Sequence, residues 1–419
     1  MELGKKDDGT PLVLSLDSLL RHVAVLGASG SGKTVCCKVM VEEAVRAGVP
    51  VICIDPQGDI ASLAEVGDAD VAMAKGVPHQ TMLDWYDKSD VKIWTPASTL
   101  GIPLSISPNT DVPSGAREED RIRAFGALAL SLTEMIGAGR KSEEMAAAFA
   151  MILEYADKER LLIRDLGDFA DFLEDPPRSL REDLDLVVDV KGRESAAKSF
   201  RIKLKGAQRL LFTLGQPINV PALLGIDGSG EPGKTRVSVV YLNTLANTEE
   251  KEMFIGVLCN AIYTWMLSNP SPKPQCLFYI DEVAPYIPPV KKPACKDSLM
   301  LLLRQARKYG VCCLLATQSP GDLDYKALGQ IGTWMIGRMR SSQEAYKVYP
   351  ALSAQPNVDA DAICDRLPSY DQGQFVVTSP DNFPDPEEFR VRWLVSAHRT
   401  VAENGLEDLV NAIDRERLG

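Results

Sequence analysis

The stretch "HVAVLGASGSGKTVCCKVMVEEAV", residues 22 to 45, limits the possible architectures more than any other part of this 419-residue chain. An apolar run leads into "GASGSGKT", which satisfies the phosphate-loop pattern G-x-x-x-x-G-K-S/T, and a segment with apolar residues at helical spacing follows at once. A phosphate cradle works through its backbone. It needs a buried strand to deliver the loop, glycines that let main-chain N–H groups face the phosphate, and a helix whose N-terminus follows directly. Such a strand–loop–helix unit belongs to a parallel sheet covered by helices. The expected nucleotide cradle is Gly27, Ala28, Ser29, Gly30, Ser31, Gly32, Lys33, Thr34 and Val35. Lys33 would reach the β- and γ-phosphates of ATP, and Thr34 would hold Mg²⁺.

"GSGEPGKT", residues 228 to 235, matches the same pattern letter for letter. Its context differs. The entry "LLGID" is short, Pro232 lies inside the loop, and "RVSVVYLN" after it reads as a strand. No helix N-terminus is offered to a phosphate there. The second match is predicted to be a Gly-rich loop that introduces a core strand.

Further short apolar runs alternate with helical patterns. "VPVICID" (49 to 55), "VKIWTP" (91 to 96), "VSVVYLN" (237 to 243), "CLFYIDE" (276 to 282), "VCCLLATQ" (311 to 318) and "TWMIGRM" (333 to 339) are candidate strands. "MFIGVLCNAIYTWML" (253 to 267) reads as a buried helix between two of them. Near-continuous apolar strands separated by helices predict an α/β fold with a mostly parallel sheet buried on both faces. Residues 116 to 215 are rich in Ala, Leu, Glu and Arg and offer no convincing strand, so they are predicted to be a helical insertion. The core would be discontinuous, over 1–115 and 216–400. "GQFVVTS" (373 to 379) and "FRVRWLV" (389 to 395) suggest an edge hairpin, and 401–419 suggest a final helix.

An NTPase also needs a carboxylate for Mg²⁺ and a group that orients the attacking water. "CLFYIDE" supplies both at the end of an apolar strand: Asp281 for Mg²⁺ and Glu282 for the water. In "LLATQSP" Gln318 ends the next strand, where it either contacts the γ-phosphate or caps the strand. Asp55 in "CIDPQGD" either hydrogen-bonds within the nucleotide site or starts a turn with Pro56. "LRQARKYG" places Arg304, Arg307 and Lys308 at a helix end, where cations suit the helix dipole. The second reading is an arginine finger entering a neighbouring subunit's site. Spacing alone does not choose between them.

Taken together, "GASGSGKT", "DPQGD", "FYIDEV" and "LRQARKYGVCCLLATQSPGDLDYKALGQIGTWMIGRM" resemble the HerA/FtsK superfamily of RecA-like hexameric pumping ATPases, above all HerA-like proteins and conjugation coupling proteins. The resemblance spans about 300 residues, roughly 1 to 110 and 235 to 400. It implies a homo-hexameric ring that hydrolyses ATP at subunit interfaces and draws double-stranded DNA through its pore, with a nuclease or other effector protein as a candidate partner. By that resemblance Lys33, Thr34, Asp281, Glu282 and Gln318 form the site in cis, and Arg307 matches the finger acting in trans. Two departures stand out. HerA proteins usually carry an N-terminal β-barrel, whereas only 26 residues precede Gly27 here, so the barrel is expected to be lacking. Gln57 occupies a position where HerA proteins often have His.

The formal net charge of −12 disfavours a broad attraction to nucleic acid or anionic membranes. DNA contacts would have to come from local clusters: Lys191, Arg193, Lys198, Arg201, Lys203, Lys205 and Arg209; Lys291, Lys292 and Lys296; or Arg338 and Arg340. For any single cluster, a solvated face is the first reading. The 9 cysteines contain no C-x-x-C pair and the 3 histidines are scattered, which argues for buried thiols in a reducing cytoplasm and against a metal site of Cys or His. No signal peptide or membrane-spanning run is expected. Two alternatives to a DNA motor follow: a P-loop ATPase acting on a protein partner, and a small-molecule phosphotransferase, which the finger-like Arg307 and the Gln318 strand disfavour.

Overall fold

The computed structural model describes residues 1–108, 117–206, 208–318, 320–355, 357–411, 414 and 418. Among these described residues thirteen strands occur: β1 (Glu2–Lys6), β2 (Pro11–Val13), β3 (His22–Leu26), β4 (Val51–Asp55), β5 (Ser89–Pro96), β6 (Ile102–Ser105), β7 (Gln216–Pro217), β8 (Thr235–Tyr241), β9 (Cys276–Ile280), β10 (Val311–Thr317), β11 (Ile331–Gly337), β12 (Gln374–Thr378) and β13 (Glu387–Val391). They form one sheet in the order β2-β1-β13-β12-β11-β3-β10-β9-β4-β8-β5-β6-β7. From β11 to β7 every pairing is parallel. The pairings among β11, β12, β13, β1 and β2 are antiparallel.

The central strands are apolar throughout because both faces are covered. On β3, Val23 and Val25 join the main core, while Ala24 and Leu26 join a second cluster with Trp334, Ile336, Leu352, Ile363 and Val376. That alternation is the two-residue period of a strand feeding two different cores. Helix Lys33–Arg46 packs on β3, β4, β8, β10 and β13, and its residues Val35 to Val45 are all buried. Helix Thr248–Ser268 packs against Lys296–Gln305 and against the first insertion helix, Glu118–Ile136. Within the latter contact the Asn260 side chain donates to the Ala127 carbonyl at 2.9 Å, which satisfies a buried amide.

The insertion is all-helical between Glu118 and Thr213 among the described residues. It leaves the sheet after β6 and returns on the adjacent β7, so the two connections are neighbours in the sheet. Its own core contains Phe149, Phe169 and Phe200, with the Phe149 and Phe169 rings edge-on at 5.2 Å. The chain therefore re-enters the sheet at Gln216, ahead of "GSGEPGKT". That segment is a turn-rich loop that runs straight into β8, as its sequence context predicts. Arg236 holds it in place: its guanidinium pairs with buried Asp90 at 2.7 Å and donates to the Ser229 carbonyl at 2.9 Å.

Two expectations need correction, and two strands were not expected at all. The β12–β13 hairpin is internal, because β1 pairs with β13 and leaves β2 as the edge. Neither β1 nor β2 was apparent from "ELGKK" and "PLV", whose partners lie far away in sequence or are too short to show a period. The final segment is not one long helix through its described residues. A 3-10 turn at Glu403–Gly405 leads to a short helix, Leu406–Leu409, and the expected continuation falls largely outside the described residues.

Candidate nucleotide site

The site sits where β3, β10, β9 and β4, four consecutive strands of the sheet, reach their C-terminal ends. Parallel α/β sheets place ligands at this edge, because the helices that follow the strands present their N-termini there. β3 delivers Gly27, and helix Lys33–Arg46 begins after Gly32. Gly30 and Gly32 have φ of +75° and +97°, a region closed to most side chains. A Cβ on Gly32 would also lie 3.2 Å from Gly373, in the loop before β12. Two main-chain bonds fix the cradle from outside: Ala28 N–H donates to the Arg338 carbonyl at 2.8 Å, and Gly373 N–H donates to the Ser31 carbonyl at 2.9 Å.

Beside the loop lies a cavity of about 270 Å³ lined by Ser29, Gly30, Gly32, Lys33, Thr34, Val35, Gln57, Asp59, Asp281, Glu282, Gln318, Gln372 and His398. Nine of the residues expected at the site line it: Ser29, Gly30, Gly32, Lys33, Thr34 and Val35 from the loop and the helix start, and Asp281, Glu282 and Gln318 from the ends of β9 and β10. Lys33 folds back so that Nζ lies 3.5 Å from the Ala28 carbonyl. Burial holds the Lys33 ammonium below its ordinary range, with Glu282 and Asp281 opposing.

The two carboxylates differ. Asp281 is buried and accepts from the Tyr279 hydroxyl at 2.8 Å. Burial pushes its carboxyl up to about 6, reinforced by Asp55, Asp59 and Glu282, while the Tyr279 bond opposes. A carboxylate set in this way favours an arriving cation, which removes the cost of its charge. Glu282 is half-buried and adopts φ of +51°, a backbone setting that costs a non-glycine residue on the order of 1–3 kcal/mol. Its carboxylate accepts from the Thr317 hydroxyl at 3.0 Å, which aims it along the β10 edge of the cavity.

Asp55 does not line the cavity. It is fully buried below it, and its carboxylate accepts backbone N–H groups from Gly58 (2.6 Å), Ala61 (2.8 Å), Ile60 (3.0 Å) and Gln57 (3.3 Å). The turn reading of "DPQGD" is the one its geometry supports, and the turn carries Gln57 and Asp59 into the cavity wall. Arg307 is also outside. It precedes β10, whose far end reaches the cavity, and β10 spans about 20 Å at a strand's rise per residue. Arg307 is exposed at that opposite end.

The basic clusters are rearranged by folding. Arg193 is buried and paired with Asp185, and Arg201 pairs with Asp171 and Glu174 at 2.6 and 2.7 Å. Lys292 pairs with Asp297 at 2.7 Å and Lys296 with Asp324 at 2.8 Å. Lys191, Lys198, Lys205, Arg209 and Lys291 remain exposed. Arg338 and Arg340 stand near the phosphate loop: the Arg338 guanidinium faces Gly30, and the charge of Arg340 reaches Lys33. Sequence reasoning missed Asp59, Gln372 and His398 as lining residues. Asp59 had a usable signal, its place in the turn after β4. His398 and Gln372 had none, since tertiary folding brings them from the C-terminal quarter of the chain.

Residues 1–387 match the protein family described as "Helicase HerA-like C-terminal". The chain is a member of this HerA-like family. Among solved structures it is similar to VirB4 of Thermoanaerobacter pseudethanolicus, at 12% identity over 94% of this chain and 96% of that one, with a TM-score of 0.58. It is also similar to the bacterial plasmid coupling protein TrwB, solved with a non-hydrolysable ATP analogue, at 15% identity over 96% and 91% of the two chains, TM-score 0.60. A further TrwB structure, with ADP and Mg²⁺, matches at 16% identity over 95% and 91%, TM-score 0.58. These likenesses establish a shared RecA-like fold, a mostly parallel sheet interrupted by a helical insertion. No curated protein shows significant sequence similarity to the chain. Among the described residues of this HerA-like protein, no helix is long and apolar enough to cross a membrane.

Proposed function

We propose that this HerA-like chain is the ATP-hydrolysing subunit of a ring motor, a homo-hexamer, that translocates or unwinds double-stranded DNA. The observation that carries the reading is the convergence, in one cavity, of the phosphate-loop helix N-terminus with Lys33, Thr34, Asp281, Glu282 and Gln318. The donor set fits a magnesium nucleotide: main-chain N–H groups and an ammonium for phosphates, a hydroxyl and a buried carboxylate for a hard cation. Thr34 and Asp281 are the residues that would hold Mg²⁺, whose chemistry there is neutralisation of phosphate charge. Lys33 binds the β- and γ-phosphates, Glu282 orients the attacking water, and Gln318 contacts the terminal phosphate or that water. Arg307, exposed and remote from its own cavity, serves the neighbouring subunit. Residues 1–115 and 216–400 form the motor core in this reading, with 116–215 appended to it.

A second reading has one observation in its favour. Much of the basic charge outside the site is spent on internal ion pairs, and the net charge is −12. An ATPase acting on a protein partner fits that surface. The deciding measurement is ATP turnover with and without duplex DNA, alongside the mass of the assembly. The DNA motor is expected to show a hexamer-sized particle and turnover stimulated by duplex. A stable monomer whose turnover ignores DNA would refute it.

A further inference from the structure

The segment 392–401 lies along helix Lys33–Arg46 as a strap, and that helix holds it. Glu42, fully buried on that helix, accepts from Val395 N–H (3.0 Å), Ser396 N–H (2.9 Å) and the Ser396 hydroxyl (2.9 Å), and pairs with Arg392 at 2.8 Å. Lys38, also fully buried and only four residues past Thr34, donates to the Ala397 carbonyl at 2.6 Å and to Ser62 at 2.9 Å. The turn after β4 holds the far side. Val401 N–H donates to the Gly58 carbonyl at 2.8 Å, the Thr400 hydroxyl bonds Asp59, and the Tyr241 hydroxyl donates to the Val401 carbonyl at 2.9 Å. Between these fixed points stands His398. Its ring is edge-on to Trp393 at 5.8 Å and it lines the nucleotide cavity.

Burying Glu42 and Lys38 in a helix core is costly unless every bond is made, and here all of the bonds named but the one to Ser62 serve one short segment. The cavity they complete is mostly polar. At about 270 Å³ it has room for phosphates and a cation. Lys33 is the one lysine or arginine among its described lining residues, against the three carboxylates of Asp59, Asp281 and Glu282. Phosphate oxygens in such a place need further N–H donors. The imidazole of His398 has no protein hydrogen-bond partner among the described residues and shares the cavity with Thr34, Glu282 and Gln318.

We propose that His398 is a nucleotide-site residue that hydrogen-bonds the terminal phosphate of a bound nucleoside triphosphate, so that the strap separates triphosphate from diphosphate. The proposal rests on the nucleotide-site reading above. His398 is exposed as a residue, and the partial burial of its ring with the nearby Lys38 and Lys75 shifts it toward its neutral form, with Asp59 opposing. A neutral ring still offers one N–H donor.

The test measures ADP and ATPγS affinity and steady-state ATP turnover for the full chain, for His398→Ala and for His398→Gln, with Lys33→Ala as reference. His398→Ala is expected to keep ADP affinity within about twofold, lose about tenfold or more in ATPγS affinity, the range for one hydrogen bond to a charged group, and fall in kcat. His398→Gln, which keeps a donor, is expected to recover most of both losses. Equal loss of ADP and ATPγS affinity would reduce His398 to a structural part of the strap and overturn the proposal, as would no loss of either. If the alanine variant does not fold, His398→Gln and His398→Leu are compared by the same readouts, and equal ATPγS affinity in the two overturns it. If the unmodified chain binds no nucleotide, and so matches Lys33→Ala, the nucleotide-site reading itself fails and takes this proposal with it.

Discussion

At the scale of single residues, the proposed function divides binding from chemistry within the site. Glu282 reaches the cavity from a strained backbone and is held by Thr317, a position suited to orienting water and not to anchoring the nucleotide. Glu282→Gln is therefore expected to retain ATPγS affinity within a few-fold while turnover falls by roughly 10²–10⁴. A variant that turns over normally would remove Glu282 from the mechanism. His22, at the opposite end of β3, makes a different kind of prediction. One ring nitrogen bonds the Leu303 carbonyl at 2.7 Å and the other accepts from Cys313 N–H at 2.9 Å, which requires the neutral ring. Burial lowers its pKa from 6.5 to about 4. The native state thus binds fewer protons than the unfolded chain in that window, so the stabilisation is complete above about pH 6.5 and is lost as pH falls toward 4. A difference of that size corresponds to roughly 3 kcal/mol. Urea unfolding of His22→Gln is expected to show lower stability at pH 7 but a much smaller loss between pH 7 and 4.5. An acid loss as large as in the unmodified chain would place the sensitivity elsewhere.

Elements explain why two matches to one pattern part ways. "GASGSGKT" is followed by a helix of 14 residues, whose N-terminal N–H groups are free to face an anion. "GSGEPGKT" is followed by β8, whose N–H groups are engaged in the ladder to β4 and β5. Lys234 there is exposed and pairs with Glu231 at 3.0 Å. Replacing Lys234 by Ala is expected to leave nucleotide affinity within about twofold of the unmodified chain, whereas Lys33→Ala abolishes binding. Comparable losses in both variants, measured by titration with a fluorescent ATP analogue, would mean two phosphate sites. The central strands and the helices between them were legible because burial on both faces leaves an unmistakable apolar run. β1 and β2 were not. Leu3 and Leu12 are fully buried, but Gly4, Lys5 and Lys6 around them carry no strand signature, and the ladder that makes β1 a strand comes from β13.

For the whole molecule, the placement of Arg307 has the largest consequence. It is exposed at the end of β10 away from the cavity, so any contact it makes with nucleotide must be with another subunit's. Arg307→Ala and Lys33→Ala are each expected to abolish turnover alone, and mixing the two is expected to restore a fraction of it in mixed rings. No recovery in subunits shown to co-assemble by mass would rule out action in trans. Within the chain, the sequence by itself determined the phosphate loop, the two carboxylates after β9 and Gln318 after β10. These follow local rules, since each sits where a buried strand ends and each shows its chemistry in the residue type. Only the tertiary structure decided that Asp55 folds a turn, that Arg338 and Arg340 border the phosphate loop, and that His398 completes the cavity. The reason is distance along the chain. Glu42 and Ser396, or Lys38 and Ala397, are joined across more than 350 residues by bonds whose donors and acceptors look ordinary until the sheet brings them together.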